Sequence, residues 1–184
     1  MIREKPRPLD WQHHHHSVAW SPVRSPPQSD DGPRQPTPPM TNVLSFDVRK
    51  AEYDLSVITP FIDGTSLSTL VSQFESTHGM TDPAGGYDGM TLADLRSGPL
   101  DQYFLGLSDS PEFAVGAGRI YVLGCNCGIL ECWPLECAVR LSGSHVVWHT
   151  FSQPFRSSRD YSAFGPFVFG LSHYQEVVRG LPAL

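Results

Sequence analysis

Four cysteines, Cys125, Cys127, Cys132 and Cys137, fall within 13 residues of a chain of 184. Thiolates are soft metal ligands and good nucleophiles, so three chemistries are open to such a cluster. Cys125, Cys127 and Cys132 are candidate ligands for zinc, with His145 or His149 able to complete a tetrahedral set. The Cys125-x-Cys127 spacing departs from the C-x₂-C pairs of ordinary zinc loops, and no second pair follows. A redox or nucleophilic thiol is the second option, needing a base and an orienting group from His145 or His149 with Glu131, Glu136 or Asp160. The third and plainest option is that the cysteines are small core or turn residues, as free cysteines commonly are, with Cys137 pointing into the core beside Val139.

Gly124 and Gly128 bracket the first two cysteines, so the chain leaves a strand through residues that tolerate positive φ and expose backbone amides. If Trp133 packs beneath this turn, with Pro134 ending the loop, the place gains an apolar wall. The candidate ligand site is therefore Gly124, Cys125, Cys127, Gly128 and Trp133, roofed by the glycine-rich stretch Gly79 to Gly98. Asp82, Asp88, Asp94 and Asp101 lie around that stretch but lack the spacing of a calcium loop and read as ordinary loop carboxylates.

These residues need elements to hold them. Val43, Leu44, Phe46 and Val48, then Leu55, Val57 and Ile58, read as an antiparallel pair of strands, the second limited by Pro60. Asp63-Gly64 marks a tight turn. Ser66 or Thr65 then caps a helix whose Leu67, Leu70, Val71 and Phe74 recur at i, i+3, i+4 and i+7. His78 to Pro99 is a long loop with a helical turn near Leu92 to Leu95, and Asp101 to Leu105 is a short helix or strand. Ser108 to Gly118 is irregular. Arg119 to Gly124, nearly unbroken in β-formers, reads as a central strand. Leu135 to Leu141 and His145 to Phe151 alternate and form a hairpin around Ser142-Gly143. The favoured register sets Val139 opposite Val146 and Cys137 opposite Trp148, with Arg140 beside His145 and Glu136 beside His149; the alternative pairs Cys137 with His149. Gly165 to Phe169 is a last short strand, and Ser172 caps a helix with Tyr174, Val177 and Val178 on one side. The aromatics from Trp133 to Tyr174 are read chiefly as core.

Residues 1–40 are different in kind. They hold nine of the 17 prolines and the His13–His16 run, a composition that cannot bury enough surface to offset the entropy of ordering. They read as a disordered extension or tag, with Met40 as a candidate natural start, and 41–184 as the single folded domain. Without the five basic and four acidic groups of that extension, the remaining 144 residues carry 8 basic and 15 acidic groups, a net charge of −7, and one lysine, Lys50. No basic stripe or phosphate loop can be drawn, which excludes nucleic acid as an expected partner. No segment approaches ~20 consecutive apolar residues and no apolar leader core begins the chain, so a soluble cytoplasmic protein without a membrane partner is expected.

One wider likeness is carried by Gly124-Cys125-Asn126-Cys127-Gly128, Cys132-Trp133-Pro134-Leu135, Trp148 with Phe151-Ser152-Gln153-Pro154, Asp160-Tyr161-Ser162 and Gly165-Pro166-Phe167, together with Pro60 to Gly64. This set, spanning Leu55 to Val178, resembles an uncharacterised family of small bacterial proteins. The resemblance implies no activity, ligand or functional residue, and Glu131 stands where that pattern has glycine.

The expected fold is α+β: an antiparallel sheet of about five strands, near 43–48, 54–58, 119–124, 135–141 and 145–151, packed against two helices near 66–76 and 172–179. The expected function is a small binding or regulatory domain with a small-molecule or protein partner. An enzyme using the Cys125/Cys127 loop and a metal-stabilised structural module are the alternatives.

Overall fold

The computed structural model describes residues 40–50, 56–95, 99–108, 115–116 and 118–182, all but the side chains of Ala93 and Glu131. The proposed extension up to residue 39, Leu55, and residues 109–114 of the stretch expected to be irregular lie outside the described residues. Among the described residues two antiparallel sheets carry the strands, with three α-helices. The α+β class and the antiparallel pairing are as expected, but the strands are divided between two sheets.

In the first sheet β1 (Leu44–Lys50) pairs along its whole length with β2 (Ser56–Ile62), from Leu44 opposite Ile62 to Lys50 opposite Ser56. β2 does not stop at Pro60. The proline sits where β2 has β1 on one side only, between its pairing with β5 (Met90–Thr91) at Val57 and Ile58 and with β3 (Thr65–Ser66) at Phe61 and Ile62. That is an edge-like position, where a missing N–H costs little. Asp63 (φ 52°) and Gly64 (φ 80°) make the turn into β3, as a left-handed dipeptide requires. The Asp63 carboxylate then accepts from Asn42 Nδ2 and Val43 N, each at 2.7 Å.

Helix α1 (Leu67–Thr77) is capped by Ser66, whose Oγ accepts from Thr69 N at 3.2 Å. Its inward face is Leu67, Val71 and Glu75, with Leu70 and Phe74 half-buried beside them. The stretch after it is more ordered than a plain loop. It forms β4 (Tyr87–Asp88), β5 and a 3₁₀ turn over Leu92–Leu95. A short helix α2 (Leu100–Phe104) follows.

The second sheet runs β4, β6 (Arg119–Cys125), β7 (Leu135–Ser142), β8 (His145–Ser152), β9 (Phe167–Gly170). β6 is central and buried from Ile120 to Cys125, matching its unbroken apolar sequence. The β7–β8 hairpin corrects both registers read from the sequence. Val139 faces Trp148, Leu141 faces Val146 and Ser142 faces His145. The turn is Gly143-Ser144, with Gly143 at φ 58°, so Leu141 and Ser142 stay in the ladder and the pairing moves by two residues. A shift of two preserves the faces. Farther along, β8 holds one extra residue between the Ala138–His149 and Glu136–Ser152 pairs. Thr150, at φ 50°, marks this bulge. It exchanges the inward parity of β8, from Trp148 before it to Phe151 and Gln153 after it.

Helix α3 (Leu171–Arg179) begins on Gly170 rather than Ser172; the backbone of Gly170 is the extended N-cap and Ser172 lies in the first turn. Tyr174 and Val178 are buried and Val177 packs half-buried beside them. The Trp148 indole donates to the Tyr174 hydroxyl at 2.9 Å, which donates to Phe104 O at 2.5 Å. Strand, helix and α2 are thereby tied through one buried polar chain. Of the nine clustered aromatics all but Phe155 and the half-buried Phe167 are buried, and Phe155 is 59% exposed. The expected core role therefore holds for most of them.

Candidate functional site

The last residue of β6 is Cys125. Its backbone pairs with Tyr87 of β4, and the next residue, Asn126, donates its N–H to Gly86 O at 3.0 Å. The chain then turns outward through Asn126, Cys127, Gly128 and Ile129, all exposed, with Gly128 N bonded back to Cys125 O at 3.0 Å. Gly128 takes φ 86° with open space about its Cα, the conformation for which glycine suits this position. A 3₁₀ turn over Leu130–Cys132 folds the chain back, closed by Cys132 N to Ile129 O at 3.2 Å.

This turn brings together the sulfurs of Cys125, Cys127 and Cys132, all within 4.8 Å of one another. Three cysteines are thus close enough to bind one metal ion. Tetrahedral zinc with Zn–S bonds of ~2.3 Å holds its sulfurs ~3.8 Å apart, so a modest contraction would seat the ion. Cys125 is buried, Cys127 and Cys132 are exposed, and all four cysteines of the chain are free thiols. Burial, reinforced by hydrogen bonding with Cys127, pushes the Cys125 thiol up to about 11. Cys127 moves the other way: the Cys125 thiol and the Ile129 N–H hydrogen-bond its sulfur and hold its pKa below that of an ordinary thiol. Cys137 stands apart, fully buried in β7, and burial raises its thiol well above the ordinary value.

The histidines considered as partners are occupied elsewhere. His149 Nδ1 lies 2.8 Å from Thr150 Oγ1, and burial, with the charges of Arg140 and Arg119, lowers its pKa. His145 stands beside the Gly143-Ser144 turn, 3.5 Å from Ser144 Oγ. Glu136 is bound by Arg119 at 2.8 Å and by Ser152 Oγ at 2.7 Å. Asp160 accepts from Ser162 N, which lowers its pKa. The Glu131 side chain lies outside the described residues. The loop aspartates also have local duties: Asp88 pairs with Arg49, Asp94 accepts from Thr91 N and Asp101 from Gln102 N.

The glycine-rich stretch does border the cysteine turn, through Gly86, Tyr87 and Asp88. Trp133 follows Cys132 immediately and is buried against that stretch; a Cβ on Gly86 would sit 3.7 Å from its Nε1. The guanidinium carbons of Arg156 and Arg159 lie 4.2 and 4.9 Å from the centre of the indole, at cation–π distance. Arg159 also reaches Asp82 O at 2.9 Å and Pro83 O at 2.7 Å, and its Nη1 lies 2.7 Å from Glu75 Oε1.

Glu75, fully buried, accepts further from Gly85 N and the Tyr161 hydroxyl, both at 2.5 Å. Tyr161 in turn accepts from Tyr87 at 2.8 Å. Burial pushes the Tyr161 hydroxyl up to about 12 and that of Tyr87 well above its ordinary value. This Glu75–Arg159–Tyr161–Tyr87 network, which holds the glycine-rich stretch at Asp82, Pro83 and Gly85 and meets the Trp133 ring, was missed in the sequence. The available signal was Glu75 itself, a charge continuing the i, i+4 row of Leu67 and Val71.

No family model, no curated protein and no solved structure matches the chain. Among the described residues no helix is long and apolar enough to cross a membrane.

Proposed function

We propose that this is a small binding domain whose ligand is a thiophilic metal ion, zinc in the first instance, held by Cys125, Cys127 and Cys132. The observation that carries it is the convergence of three sulfurs within 4.8 Å on one surface turn. Three thiolates suit a borderline-soft ion, and two exposed ligands leave a fourth position for water or an exogenous ligand. The influences on the acidity of Cys125 and Cys127 come from burial, from the neighbouring thiols and from backbone amides. Among the described candidates for a base, His145, His149, Glu136 and Asp160 each have other partners, which favours ion binding over a thiol enzyme needing an adjacent base. The ligands must be reduced, which fits a cytoplasmic home.

The test is titration of the reduced full chain with zinc against a chromophoric chelator, together with cobalt substitution to read thiolate charge-transfer bands. One ion per chain is expected. Cys125→Ser, Cys127→Ser and Cys132→Ser should each weaken binding by roughly tenfold or more, while Cys137→Ser leaves it unchanged. Absence of binding, or its loss in Cys137→Ser alone, would overturn the proposal.

A further inference from the structure

We infer that Cys127 and Cys132 form a two-electron redox pair that closes to a disulfide against a low-molecular-weight disulfide, and that a bound metal ion holds this pair open. The inference concerns regulation of the site proposed above and rests on that reading for the metal's part in it.

The choice of pair follows from position. Cys137 lies fully buried in the core. Cys125 belongs to β6, its backbone paired across to Tyr87 and its successor Asn126 bonded to Gly86 O, so its Cα is held on two sides. It is also separated from Cys127 by a single residue. Cys127 and Cys132 are exposed and lie on the outward turn and its 3₁₀ return. Their sulfurs start no more than 4.8 Å apart, and a disulfide needs ~2.05 Å. Gly128, between them and in open space, lets the turn adjust.

The exchange balances without any further co-reactant. The Cys127 thiolate attacks one sulfur of the small disulfide; that S–S bond breaks, and the first small thiolate leaves with the bonding electrons. Cys132 gives its proton to solvent and attacks Cys127 Sγ in the mixed disulfide, expelling the second small thiolate. Two protein thiols are oxidised and one small disulfide is reduced to two thiols. Two of three metal ligands are consumed, so closure and ion release are one event, and a bound ion opposes closure by occupying both sulfurs.

The experiment incubates the reduced full chain with oxidised glutathione, metal-free and zinc-loaded, and follows intact mass, peptide maps and zinc release to a chromophoric chelator. Metal-free protein should lose about 2 Da as one disulfide forms, mapped to Cys127–Cys132. Cys132→Ser should stop at one glutathione on Cys127, and Cys137→Ser should behave as the parent. Zinc should slow closure roughly tenfold or more, with release tracking disulfide formation. A bond mapped to Cys125 or Cys137, or a glutathione adduct persisting on Cys127 with Cys132 present, overturns the pair. If zinc binds at one per chain yet leaves the rate unchanged, the regulation is overturned. If zinc does not bind at all, the metal reading fails by its own titration, and the metal-free arm still decides the pair.

Discussion

Replacing Arg159 by methionine removes the cation facing Glu75 while keeping most of the side-chain volume. Glu75 is fully buried and lies 2.7 Å from Arg159 Nη1. The variant would leave its charge with only the Gly85 N–H and the Tyr161 hydroxyl as donors. Breaking one side of a buried pair costs about 3–5 kcal/mol because the remaining ion is uncompensated. For a domain of this size 1 kcal/mol moves the midpoint by roughly 2–4 °C, so Tm should fall by roughly 6–20 °C. Loss of the two carbonyl bonds and of the indole contact falls within that spread. The double variant Glu75→Gln, Arg159→Met removes both charges and should recover a large part of the loss, giving a coupling of about 2 kcal/mol or more in a double-mutant cycle. Urea unfolding of the four proteins measures it. Additive single effects, or a midpoint shift under about 2 °C for Arg159→Met, would refute the claim that this buried pair stabilises the fold.

Three more outcomes are expected. Tyr174→Phe leaves the Trp148 Nε1 donor and the Phe104 carbonyl unpaired in the core, costing about 1–3 kcal/mol each at most in urea unfolding. Gly89→Ala places a Cβ 2.3 Å from Ile58 O and 2.7 Å from Val57 Cγ1, so the β2–β5 contact must open. Amide exchange at Met90 should rise, whereas Gly128→Ala has space and is strained only by its φ. Alkylation of the metal-free protein should label Cys127 first. A lowered pKa means thiolate persists at lower pH, so its rate should rise at lower pH than that of Cys125, whose thiolate forms only near pH 11. Peptide-resolved rates across pH check the order.

What was legible in the sequence was what periodicity and turn chemistry encode. The Leu67, Leu70, Val71, Phe74 spacing with Ser66 before it marked α1, Asp63-Gly64 marked its turn, and the β-forming run after Arg119 marked the central strand. Three features were beyond that signal. The bulge at Thr150 reverses inward parity without any glycine or proline to announce it, so no simple alternation could carry β8 past His149. β4 and β5 have two residues each, too short for a period, and exist because β6 and β2 offer edges to them. The proximity of Cys132 to Cys125 and Cys127 depends on the return of the chain through Leu130–Cys132, whereas spacing alone left metal, redox and core roles open. Arg159, 84 residues from Glu75 in a polar stretch, has no local mark at all; only the folded chain pairs them.

The three clustered sulfurs all come from one run of eight residues, 125–132. A ligand set so local survives unfolding in part, because an unfolded chain can wrap the same short segment around an ion at a small loop-closure cost. Added metal then stabilises the native fold only by the ratio of its native to its unfolded affinity: a tenfold preference is worth about 1.4 kcal/mol however tight the binding. If the site takes zinc as proposed, the ion can therefore be captured before β4 and the Glu75 network close around the turn. Its release by a chelator would empty the site and still leave the fold standing.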